Sequence, residues 1–199
     1  MTVDETWVHH FDPESKVQSK EWRHSGSPPP KKFRVQASAE KVMATVFWDA
    51  TGILLIDYLP HGQTITGQYY AALIARLRDT IKDKRRGMLR RGVLLHQDNA
   101  PPHKAHVAMA AIHNAGFELV DHPPYSPDLA PSDFHLFPKL KEKIRGRKFG
   151  DDNEVMEAVE DFFGSRTKSS TKQGSRHSST AGPSASQFKE TMWRNKDKS

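Results

Sequence analysis

The chain has 199 residues, with 30 Lys and Arg against 24 Asp and Glu, a formal net charge of +6 and no cysteine. The lack of cysteine excludes a disulfide-stapled scaffold, a thiol nucleophile and a thiolate zinc site. No apolar run approaches the roughly 20 residues of a membrane span, and Met-Thr-Val-Asp-Glu does not open a secretory signal. All of the net charge falls in residues 164–199, which hold eight basic, two acidic and only five apolar residues, whereas residues 1–163 carry 22 of each sign. So few apolar groups do not offset the entropy of ordering that segment, which is expected to be a disordered, Ser-rich basic tail. The body of 163 residues has apolar content for one core.

In chain order, Val3 to Phe11 is short, aromatic and partly alternating, as in a strand. Residues 12–40 are polar and basic around Pro28-Pro29-Pro30, which removes three backbone donors and favours extended geometry. So long a stretch without regular structure is more often functional than incidental. Lys41 to Trp48 and Ile53 to Leu59 read as a hairpin turning at Asp49-Ala50-Thr51-Gly52. Thr66 to Arg86 places Tyr70, Leu73, Ile74, Leu77 and Ile81 at helical spacing behind a Thr66 N-cap. Gly92 to Leu95 reads as a buried strand stopped by Pro101-Pro102. A helix from His103 to Asn114 closes at Gly116, and Phe117 to Val120 is a further strand. After a Pro/Ser-rich turn at 123–127, a helix opens near Pro131-Ser132-Asp133 and should kink at Pro138. The last helix is expected over Asp152 to Phe163, with acids at its start. The order describes an α/β protein with a mixed sheet flanked by helices.

Three aspartates stand at suggestive positions: Asp4 in the first strand, Asp98 just past a buried strand and Asp133 in a first helical turn. Strand ends are where open α/β sheets place their sites. Converging carboxylates repel unless hard cations sit between them, and oxygen donors select Mg²⁺ or Mn²⁺. Two such ions serve phosphodiester cleavage and joining without a side-chain nucleophile. The plain alternative is a strand-end acid, a turn former and a helix-start acid, and spacing by itself leaves both open. His96, His103 and His106 cluster near Asp98 without matching a zinc motif. His103 and His106 read as helix-surface or capping residues, and Trp7, Trp22 and Trp48 as packing residues. Basic runs at 76–91 and 139–148 suit either a solvated face or salt-sensitive phosphate contact.

Leu95 to His103 (LHQDNAPPH) and Tyr125 to Phe137 (YSPDLAPSDFHLF) resemble the signature blocks of mariner-family DNA transposases, and Val3 to Trp7 resembles the block around that family's first catalytic aspartate. The 34 residues between Asp98 and Asp133 match mariner spacing. The resemblance spans about residues 2–163. It implies an RNase H-like domain over 1–163 in which Asp4, Asp98 and Asp133 hold two Mg²⁺ or Mn²⁺ ions. Asp128 also lies in the final block, but the spacing assigns the role to Asp133. The resemblance also implies that residues 12–40 form a clamp-like loop supporting a homodimer, that the partners are transposon-end DNA and a TA target, and that the location is nuclear. Lys31, Lys32 and Arg34 in the loop, Arg85, Arg86, Arg90 and Arg91, and His103 are the residues put forward for DNA contact. The family's inverted-repeat-binding front domain has no counterpart here, so autonomous transposition is not expected. A non-catalytic DNA-binding or assembly module and a degenerate transposon remnant remain as alternatives.

Overall fold

Alternation along β1 (Thr2–His9) sends Val3 to one face and Val8 to the other, so the strand is covered on both sides. It pairs antiparallel with β2 (Lys41–Asp49), which continues through a turn into β3 (Gly52–Leu59). On its other side β1 runs parallel to β4 (Val93–His96), which is parallel to β5 (Phe117–Val120). The five-stranded order is β3-β2-β1-β4-β5. A computed structural model describes residues 1–15, 36–123, 126 and 129–173, with side chains through 164.

Helix α1 (Gly67–Lys84) buries the expected stripe of Tyr70, Leu73, Ile74, Leu77 and Ile81, and the Thr66 hydroxyl caps it by accepting from the Tyr69 N–H at 3.2 Å. With α3 (His106–Ala115) it covers one sheet face, over Val3, Phe47, Leu54, Val93 and Leu95. Gly116 closes α3 in the left-handed conformation, φ 76° and ψ 29°, which costs a glycine little. The other face, with Val8, Val42, Ala44 and Val46, is covered by α4 (Phe137–Ile144) and α5 (Asp152–Gln173). Each fully buried Leu or Ile side chain in these layers contributes about 1.5–3 kcal/mol.

Three expectations need correction. The helix expected from His103 is two helices: a one-turn α2 (Pro101–Lys104) and α3, separated by Ala105 at an extended ψ of 139°. Pro101 and Pro102 therefore open a helix, where their missing N–H groups cost nothing. The segment at Ser132 begins as a π-helical turn (Ser132–Leu136), and Pro138 falls in the first turn of α4, so helix type changes where a kink was expected. Helix α5 continues to Gln173, past Phe163, because 164–173 contains no proline to break it.

By its contacts the chain divides into a unit Met1–Thr167 and a unit Lys168–Ser199. The tail is expected to be disordered from residue 164 on; residues 164–173 instead continue α5, and 174–199 lie outside the described residues. The same holds for the centre of the 12–40 loop, with Trp22, Lys31, Lys32 and Arg34, and for Asp128. The two ends of that loop are joined: Ser38 N–H donates to the Phe11 carbonyl at 2.9 Å and His10 N–H to that of Glu40 at 3.1 Å. No helix among the described residues is long and apolar enough to cross a membrane.

Candidate active site

The register Thr2↔His96 decides what faces what. Two residues further along each chain stand Asp4, still in β1, and Asp98, just past the end of β4. Neighbouring strands lie about 4.8 Å apart, so parallel extension brings these two acids side by side. Asp133 arrives from the π-helical turn. That turn is pinned to the sheet by Trp48, whose indole N–H donates to the Ser132 hydroxyl at 3.0 Å and whose ring stacks on His135. Trp48 itself pairs with Thr2. All three aspartates line one cavity of about 420 Å³, with His96, Asn99, Lys104 and His122.

The charges in this cavity are under strain. Burial, then the Asp133 carboxylate, push the Asp4 carboxyl up to about 7, and Glu5 and Asp98 add to the effect against one hydrogen bond from the Glu5 N–H at 2.8 Å. Asp98 is held below the usual carboxylate range, first by its hydrogen bond with His103 and further by the Ala100 N–H at 3.0 Å. His96 is lowered by burial and by His122, whose Nδ1 stands 3.0 Å from its Nε2. A set of hard oxygen donors that repel one another is relieved by a divalent cation, so the chemistry of these residues fits such an ion. Among the described residues no three His, Asp or Glu side chains are already drawn in to coordinating range.

The expected DNA-contact residues are spread differently from the aspartates. Arg86, Arg90 and Arg91 are exposed, but they precede β4, at the end of the strand opposite Asp98. Arg85 pairs with Asp49 through Nε at 3.1 Å and so ties the end of α1 to the hairpin. His103 is a correction. It is only 1% exposed, turned inward by the one-turn α2, and out of reach of DNA. Its Nδ1 lies 2.6 Å from Asp98 Oδ1, and its Nε2 lies 3.4 Å from Glu5 Oε1, within ion-pair range. Burial opposes a charged ring, yet these two carboxylates outweigh it and hold His103 up at about 9. His96, His103 and His106 do not converge as a zinc site, since His106 is exposed on α3. Trp7 is 39% exposed beneath Lys41, whose Nζ stands 4.1 Å from the ring centre, rather than packed inside. Sequence reading passed over Glu5 and Lys104. Alternation in β1 was the available signal for Glu5, which must face opposite to Asp4.

Residues 12–91 match a family model described as "Transposase (partial DDE domain)". The human histone-lysine N-methyltransferase SETMAR is 30% identical over 168 residues, covering 84% of this chain and 24% of that protein. The mariner Mos1 transposase of Drosophila mauritiana is 29% identical over 168 residues, covering 83% of this chain and 48% of that protein. The chain thus spans about a quarter and about half of the lengths of these two relatives. The crystal structure of the Mos1 mariner paired-end complex with Mn has a TM-score of 0.73 at 29% identity, covering 82% of this chain and 47% of that one. The corresponding Mos1 complex with Mg also scores 0.73, at 28% identity, covering 83% and 48%.

Proposed function

The body of this chain is a catalytic domain of the mariner transposase family, and from that premise we propose that it cleaves and rejoins DNA phosphodiesters with a divalent cation held by Asp4, Asp98 and Asp133. The observation that carries the proposal is the one cavity shared by these three carboxylates, in which burial and then Asp133 push Asp4 up to about 7. Mg²⁺ or Mn²⁺, as two ions, would supply the positive charge that activates water or a 3′-hydroxyl and stabilises the leaving oxygen.

The chain's own residues do the rest. Asp4 is fixed on a central strand and keeps one oxygen on the Glu5 N–H. Asp98 lies beside it, held from the α2 side by His103 and the Ala100 N–H, and with Asp4 and Asp133 it would hold the cation. Lys104, exposed at the cavity, is placed to bind a phosphate oxygen of the incoming strand. The substrate on this reading is transposon-end DNA, with strand transfer to a TA target in the nucleus, and the 12–40 loop engages a second copy of the chain. The Mos1 transposase forms paired-end complexes with Mn, with Mg and with its left transposon end, which supports this reading.

The test is nicking of supercoiled plasmid in Mg²⁺ or Mn²⁺, wild type against Asp98→Ala. Metal-dependent nicking that vanishes in the variant is the expected result. Equal residual nicking by both proteins overturns the catalytic reading, and salt-resistant DNA binding without cleavage would leave a DNA-binding module in its place.

A further inference from the structure

Asp98 lies past the end of its strand and its side chain is 47% exposed, so the strand does not fix its carboxylate. Its order comes from one side. Oδ1 accepts from both the Ala100 N–H at 3.0 Å and His103 Nδ1 at 2.6 Å, which leaves Oδ2 as the oxygen without a protein donor among the described residues. The imidazole that does this is itself locked. Glu5 Oε1 stands at its far nitrogen, 3.4 Å away, and has no hydrogen-bond partner among the described residues. The Tyr70 ring lies against its face with centroids 4.2 Å apart. Tyr70 in turn donates its hydroxyl to Gln97 Oε1 at 2.7 Å, and Gln97 Nε2 donates to the His103 carbonyl at 3.5 Å.

We propose that His103 is a positioning residue: braced by Glu5 and Tyr70, it holds Oδ1 of Asp98 so that Oδ2 alone is presented to a cation. The inference rests on the reading of Asp98 as a metal ligand. Alternation in β1 gives it a further consequence. Asp4 faces the cavity and its neighbour Glu5 faces His103, so one strand segment supports two of the three acids from opposite faces of the sheet. Partners of this kind behind a ligand typically contribute 10–100-fold to metal affinity.

The experiment is Mn²⁺ titration of the full chain followed by EPR, with thermal unfolding in EDTA as the control for folding. His103→Asn carries an N–H where Nδ1 stands, whereas His103→Gln carries one where Nε2 stands. Asn should bind Mn²⁺ within about threefold of wild type, and Gln about tenfold or more weakly, with both equally folded. His103→Leu should weaken binding at least as much as Gln. If Asn and Gln bind alike, or Leu binds like wild type, the positioning role is wrong. Should Leu fail to fold, the contrast between the two amides still decides. A wild-type chain that binds no Mn²⁺ overturns the metal reading itself and this inference with it, and the wild-type curve identifies that case.

Discussion

Replacing Asp4 by Asn is expected to stabilise the metal-free chain at about pH 8. The substitution keeps an oxygen for the Glu5 N–H and offers an amide N–H to a cavity lined by Asp98 and Asp133. The Asp4 carboxyl stands at about 7 in the folded chain against an ordinary value of 3.8, chiefly through burial and then through Asp133. A carboxyl raised on folding contributes stability that is fully present below about pH 3.8 and is lost progressively until pH has passed about 7. At pH 8 the folded chain therefore carries an ionised group that unfolding would relieve. One pKa unit is worth about 1.36 kcal/mol, so the ceiling is roughly 4 kcal/mol; the cavity opens to solvent, and we expect about half of that, roughly 2 kcal/mol. Urea unfolding followed by circular dichroism in EDTA measures it. The gain should be largest at pH 8 and less than half as large near pH 5. Millimolar Mg²⁺ should narrow or reverse the difference, because a ligand stabilises only the form that binds it. A variant no more stable than wild type at pH 8, or a gain independent of pH, would refute the electrostatic account of the site.

Other substitutions test the scaffold around the site. A methyl at Gly67 would collide with that of Ala105, at the break between α2 and α3, so Gly67→Ala should cost about 1–3 kcal/mol in thermal unfolding; an unchanged Tm would show that the helices yield freely. Asp57, 8% exposed, takes hydrogen bonds from Tyr69 and Arg76 and ties edge strand β3 to α1. Its change to Ala should cost about 1–3 kcal/mol by urea titration, and a smaller loss would mean that solvent satisfies both donors. Leu140 is fully buried where α4 meets the sheet, so Leu140→Ala should cost about 2–5 kcal/mol; a loss below 1 kcal/mol would show that the layer collapses to fill the gap.

The features legible in the amino-acid order were local ones. The stripe from Tyr70 to Ile81 reflects the helical period, Thr66 caps through its own hydroxyl, and Gly116 ends α3 because a left-handed residue is needed there. The hairpin and the placement of Asp98 after a buried strand were readable for the same reason: each depends on neighbours a few residues away. The tertiary structure decided the rest. The register Thr2↔His96 sets Asp98 beside Asp4 across more than ninety residues of chain, and no local pattern encodes it. The break at Ala105 turns His103 away from solvent, where helix periodicity had left it on the surface, because packing against Tyr70 and the charges of Asp98 and Glu5 outweigh continuation of one helix. Asp133 meets the other two acids only because a π-helical turn, pinned by Trp48, carries it over the end of the sheet. Residue identity named the acids, and long-range packing chose which of them share a cavity.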